Sequence, residues 1–125
     1  MPLAPGLSAE IELRVSPADT ARALGSGDVP VLGTPRVLAL CEEACVRALA
    51  GQLAPGQTSV GTRVELDHRA PTPVGATVRA RATLEAVEGR RLRFRVALRE
   101  GSKTLAEGSL LRALVDRDRF LAGPG

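Results

Sequence analysis

The chain has one histidine, and the segment around it, "VGTRVELDHRA" (60–70), alternates with a period of two. Read as a strand, it puts Val60, Thr62, Val64, Leu66 and His68 on one face and Arg63, Glu65, Asp67 and Arg69 on the other. The imidazole shares the apolar row. Imidazole exchanges its proton near neutral pH, so an inward-turned His68 is a candidate general base if a second group orients it. Residues 34–49, "TPRVLALCEEACVRAL", supply such a group. On a helix at about 100° per residue, Thr34, Leu38, Cys41, Cys45 and Leu49 fall within an arc of roughly 80° and form the stripe expected to be buried. Arg36, Glu43 and Arg47 fall opposite, with Glu43 and Arg47 spaced as an ordinary surface pair. Glu42 falls at the edge of the stripe, where an unpaired carboxylate costs on the order of several kcal/mol. If the helix packs on the apolar row of the strand, Glu42 and His68 meet inside the protein as a carboxylate-oriented base.

Each of these residues also has an ordinary structural role open to it. Thr34 reads as a helix N-cap, Glu42 as a boundary carboxylate reaching water, and His68 as a satisfied strand histidine. Arg112, between Leu111 and Ala113, reads as an edge cation. Cys41 and Cys45, four apart on the helix, suggest packing in a reducing compartment; they make no disulfide framework and are too few for structural zinc.

The surrounding pattern shows what would position these groups. "LSAEIELRV" (7–15) reads as a strand and "SPADTARAL" (16–24) as a short helical turn entered through Ser16 and Pro17. "GSGDVPVLG" (25–33) is a loop; Thr34–Pro35 then repeats the cap-then-proline signal and opens a helix that should stop near Gly51. From Thr58 onward the period changes to two, and turns at 71–75, 88–90 and 100–102 divide four strands. In "RLRFRVALR" (91–99), Leu92, Phe94, Val96 and Leu98 share one face; in "ATVRARATLEAV" (76–87), Val78, Ala80, Ala82 and Leu84 do. "KTLAEGSLLRALV" (103–115) closes the series. A strand, one long helix and four more strands indicate an α+β domain, an antiparallel sheet wrapped around a single helix, with edges that a second copy would cover.

At 125 residues and 44% hydrophobic composition the chain fits one domain, 1–125, with its own core. Sixteen of the seventeen cationic side chains are arginine and the net charge is +3. The arginines alternate along strands, and with no Tyr, no Trp and two Phe there is little to stack on bases, so a small phosphorylated ligand is expected in preference to nucleic acid. No run approaches a membrane span and "MPLAPGLSAE" lacks the features of a signal peptide, which leads to an expectation of cytoplasmic residence without membrane attachment.

Residues 42–101, beginning "EEACVRALAGQ", resemble the hot-dog-fold thioesterases related to fluoroacetyl-coenzyme A thioesterase. The likeness extends from about residue 31 to 115. It is densest at "ACVRA" with the preceding Glu42, at Gly61–Thr62 followed by His68, at "PTPVG" and at "VEGRRL". The resemblance implies a hot-dog fold, assembly as a homodimer or higher homo-oligomer with sites near the interface, acyl-coenzyme A as substrate, and no metal or cofactor. Carried over residue by residue, it makes Thr34 the catalytic threonine, Glu42 the glutamate and His68 the histidine. Gly61 becomes the glycine whose N–H lies near the thioester oxygen, and Arg112 a substrate-side arginine. Arg90 and Arg91, flanking a turn, are candidates for coenzyme A phosphates.

Two departures stand out. The fluoroacetyl enzyme carries a phenylalanine lid before its helix, whereas residues 25–33 contain no aromatic, and Pro35 stands where the relative has glycine. The expected reaction is hydrolysis of a small or medium acyl-coenzyme A. The alternatives are a non-catalytic acyl-coenzyme A binder or dimeric interaction module of the same fold, and hydratase chemistry that leaves the thioester intact.

Overall fold

The computed structural model describes residues 3–123. Strand β1 (Ser8–Arg14) leads through a 3-10 turn (Pro17–Asp19) and the four-residue helix α1 (Ala21–Leu24) to the long helix α2 (Thr34–Ala48). Strands β2 (Gln57–His68), β3 (Thr77–Glu88), β4 (Arg91–Glu100) and β5 (Lys103–Asp116) follow, and helix α3 (Arg117–Ala122) ends the described chain. The strands form one antiparallel sheet in the order β1-β3-β4-β5-β2, which α2 crosses on its inner face, chiefly over β3 and β1. This is the expected α+β hot-dog arrangement.

Alternation builds the core. Val78, Ala80, Ala82 and Leu84 of β3 and Leu92, Phe94, Val96 and Leu98 of β4 all point inward and are almost completely buried. The two alanines leave room for α2, which buries Val37, Leu40, Cys41, Ala44, Cys45 and Ala48 there. The buried stripe is therefore turned from the one expected: Thr34 is exposed and Leu38 only half-buried. The helix sits over β3 and β1, so its Thr34–Leu38–Glu42 edge is left to face β2 and β5. The helix ends at Ala48, with Leu49 as C-cap, three residues before Gly51. Helix α3, which no hydrophobic period announces, starts on the Asp116 side chain accepting from Arg119 N at 2.9 Å.

Strand β2 departs from simple alternation. Its pairing with β5 shifts between Gly61 and Arg63, a bulge at Thr62, whose hydroxyl donates to Leu111 O at 3.2 Å. Beyond the bulge, Val64, Leu66 and His68 pair with Leu110, Gly108 and Ala106 and keep the inward face expected for them. Before it the parity reverses, so Ser59 and Gly61, opposite Leu114 and Arg112, turn inward where Val60 and Thr62 were expected. β2 is also an outer strand, so one side of its backbone has no neighbouring strand among the described residues.

No helix among the described residues is long and apolar enough to cross a membrane.

Candidate functional site

Thr34 opens α2 and His68 ends β2, and the fold sets the two side by side, Thr34 Oγ1 2.8 Å from His68 Nδ1. The threonine hydroxyl thus serves the imidazole and leaves the helix end alone. Gly33 is the N-cap, and no side chain caps the first turn. The N-cap reading of Thr34 gives way for this reason. With Nδ1 unprotonated, the hydroxyl donates to it, which is the arrangement a base needs to take that proton. The other ring nitrogen, Nε2, then carries the proton; it is buried and has no partner among the described residues. The pair stays partly accessible, since Thr34 is exposed and His68 half-buried.

A second cluster lies two turns further along α2, about 12 Å at a rise of 1.5 Å per residue. Glu42 Oε2 accepts from Arg112 Nη1 at 3.0 Å. Arg112 is 6% exposed and is held in turn by Ser59, donating from Nε to Ser59 Oγ at 3.0 Å and from Nη2 to Ser59 O at 3.1 Å. Gly61 completes the cluster: a Cβ there would stand 2.6 Å from Glu42 Oε2, so the carboxylate rests where any larger residue would place its side chain. The expected meeting of Glu42 with His68 does not occur within the chain, because the bulge in β2 brings Ser59 and Gly61 inward and Arg112, facing them from β5, takes the carboxylate. Arg112 is accordingly a buried, fully engaged cation and not the edge residue its neighbours suggest. The Glu42 side chain keeps 37% exposure.

Arg90 and Arg91 sit at the β3–β4 turn, both exposed. Arg91 lines an open groove of about 430 Å³ with Thr62, Arg93, Leu111 and Arg112, and Arg90 lies outside that lining. Cys41 and Cys45 are buried free thiols, and burial pushes each up to about 12, so neither is a nucleophile at neutral pH. The described residues contain no group of three or more His, Cys, Asp or Glu that could hold a metal ion. Ser59 was missed by sequence reasoning, because the bulge that turns it inward leaves no mark on hydrophobic period.

Comparison with known proteins gives these clusters a setting. The family profile described as "FlK: Fluoroacetyl-CoA-specific thioesterase" matches residues 15–118. The chain belongs to that thioesterase family. The match covers both clusters and nearly the whole fold. Within the family, the fluoroacetyl-CoA thioesterase of Streptantibioticus cattleyicolor is 42% identical over 92 residues, 74% of this chain and 66% of that enzyme, just under two thirds of its length. A solved structure of the fluoroacetyl-CoA thioesterase FlK superposes with a TM-score of 0.90 at 36% identity, over 98% of this chain and 95% of that one. A hypothetical protein of Thermus thermophilus, a thioesterase superfamily member, superposes with a TM-score of 0.89 at 28% identity, over 97% and 90% of the two chains.

Proposed function

We propose that the chain hydrolyses the thioester of a small or medium acyl-coenzyme A, with Thr34, His68 and Glu42 as its catalytic residues. The observation that carries this reading is the 2.8 Å approach of Thr34 Oγ1 to His68 Nδ1 at an exposed helix start. His68 takes the proton of the Thr34 hydroxyl, or of a water in its place, and the freed oxygen attacks the thioester carbonyl. The developing oxyanion is met by the N-terminus of α2 and by the N–H of Gly61 of the partner subunit. Collapse of the tetrahedral species expels the coenzyme A thiolate, which recovers the proton from the imidazolium. If Thr34 is the nucleophile, a water activated by the same imidazole then releases the acid. No metal or cofactor enters these steps.

The two clusters form one site in a homodimer. β2 is an outer strand of twelve residues in which Gly61–Glu65 are all exposed, Val64 at 45%. Antiparallel pairing of two such strands, with the two-fold axis at Glu65 and the Thr62 bulge taking up one residue, covers both open edges and sets Gly61 opposite the partner's His68. Glu42, fixed by Arg112, then faces the Thr34–His68 pair of the other chain and stabilises the imidazolium formed there. Arg91 reaches the coenzyme A phosphates from its groove, with Arg90 beside it at the turn. Free cysteines on α2 suit residence in a reducing cytoplasm. The loop at 25–33 offers no aromatic side chain to the acyl group, so fluoroacetyl stands as one small acyl group among others.

Thiol release from a panel of acyl-coenzyme A thioesters, short to long and including fluoroacetyl, tests the reading with the wild-type chain and His68→Ala side by side. Release that disappears in His68→Ala supports it. Binding of coenzyme A thioesters without any thiol release would replace it with a binding module of the same fold.

A further inference from the structure

One carboxylate among the described residues is buried and plays no part in either cluster. Asp19, at the end of the 3-10 turn, is 8% exposed. Its Oδ2 accepts from Ser16 N at 2.8 Å and from Ser16 Oγ at 2.9 Å, which fixes the side chain on its own turn. Two further bonds leave the turn and end on either side of Thr34. The backbone oxygen of Asp19 accepts from Gly33 N at 2.9 Å, and Oδ1 accepts from Arg36 Nε at 2.9 Å. Thr34 therefore sits in a four-residue segment, 33–36, whose two ends are tied to one residue 15 positions before Thr34 in the chain.

The contacts around this tie leave little play. Ala21 N donates to Val31 O at 2.8 Å and Leu32 N to Thr72 O at 2.8 Å, so the segment entering α2 is bonded on both sides. A Cβ on Gly33 would stand 3.0 Å from Ala21 N and Cα and 3.1 Å from Leu24 Cδ1, so the entry is packed directly on α1. Gly33 brings no side chain to cap the helix. No side chain caps the first turn, and Asp19 supplies two of the bonds that fix it.

We infer that Asp19 is a positioning residue for the reaction: through Gly33 N on one side and Arg36 on the other, it sets the Thr34 hydroxyl at hydrogen-bonding distance from His68. The inference rests on the catalytic reading of Thr34 and His68. Proton transfer depends steeply on such placement, and a displacement of about 1 Å can cost on the order of a hundredfold in rate. A carboxylate is suited to the task because it accepts three bonds at once, one of them from a cation.

The test uses the full-length chain with Asp19→Asn, Arg36→Gln, the double variant and the conservative Arg36→Lys, each assayed for kcat, KM and thermal midpoint, with His68→Ala as control. Asp19→Asn and Arg36→Gln are expected to lower kcat about ten- to a hundredfold with KM changed less than about threefold. The double variant should be no worse than the weaker single variant, and Arg36→Lys should recover part of the loss. Asp19→Asn should add no further loss in a Thr34→Ala background, since its effect passes through that residue. Wild-type kcat in Asp19→Asn and Arg36→Gln, while His68→Ala is inactive, would overturn the inference and leave the catalytic reading intact. Full activity in His68→Ala would overturn the catalytic reading itself. A lowered thermal midpoint with kcat unchanged in the folded protein would reduce Asp19 to a structural tie.

Discussion

Strands β4 and β2 have the same length class and the same nominal period, yet the fold uses them in opposite ways. β4 lies in the middle of the sheet, alternates without interruption and buries Leu92, Phe94, Val96 and Leu98 completely. β2 lies at the edge, carries a bulge, exposes five residues in a row and holds His68, Gly61 and Ser59. Regularity in β4 stabilises the sheet. Irregularity in β2 gives the site its parts: the bulge turns Ser59 and Gly61 toward Glu42 and Arg112, and the open edge leaves Thr34–His68 facing outward. The interior strands β3 and β5 carry bulges too, but with neighbours on both sides they have no open edge to offer a second chain.

Substitutions on the two strands should therefore fail differently. His68→Ala is expected to reduce kcat on the order of 10²- to 10⁴-fold while the thermal midpoint stays near that of the wild type. Phe94→Ala is expected to lower stability by about 3–5 kcal/mol in denaturant titration, with the remaining folded protein still active. A reversal of those outcomes would dissolve the distinction between the strands. Gly61→Ala probes the bulge: its Cβ would press on Glu42 Oε2, and kcat/KM should fall roughly ten- to a hundredfold in steady-state assays, with little loss of stability. An unaffected rate would mean that Glu42 needs no fixed position.

A smaller effect is expected at acid pH, at the entry to α2. Burial alone would raise the Asp19 pKa, but the bonds from Ser16 and Arg36 outweigh it and hold the carboxyl below its ordinary 3.8. The stabilisation it gives is complete above that ordinary value and is lost as pH falls through the lowered one. Thermal midpoints should therefore separate wild type from Asp19→Asn less and less below about pH 4, because the variant has no carboxyl there to titrate.

Much of this was legible in the sequence because hydrophobic period reports burial. The inward rows of β3 and β4, the long helix and the turns between strands follow from it directly, and His68 and Glu42 stand out against it, whereas Thr34 fits it as stripe and cap and gains its role only from the family resemblance. What period cannot report is a change of parity. One extra residue at Thr62 moves Ser59 and Gly61 to the other face, and with them the partner of Glu42 changes from His68 to Arg112. The buried stripe of α2 was misplaced for a related reason, since the wheel shows which residues are apolar but not where the sheet lies beneath them. The ties of Asp19 to Gly33 and Arg36 join residues that neither period nor spacing relates.

The central claim is that Glu42 of one chain and His68 of another work in the same site. Mixing separately inactive Glu42→Gln and His68→Ala chains, after denaturation and joint refolding, tests it directly through thiol release. In a mixed dimer one of the two sites would be assembled from a wild-type Glu42 and a wild-type His68. With half of the dimers mixed, the expected recovery is about a quarter of wild-type activity, as random pairing into closed two-fold dimers requires. No recovery, with mixed dimers present by mass, would place both residues' action within a single chain and contradict the claim.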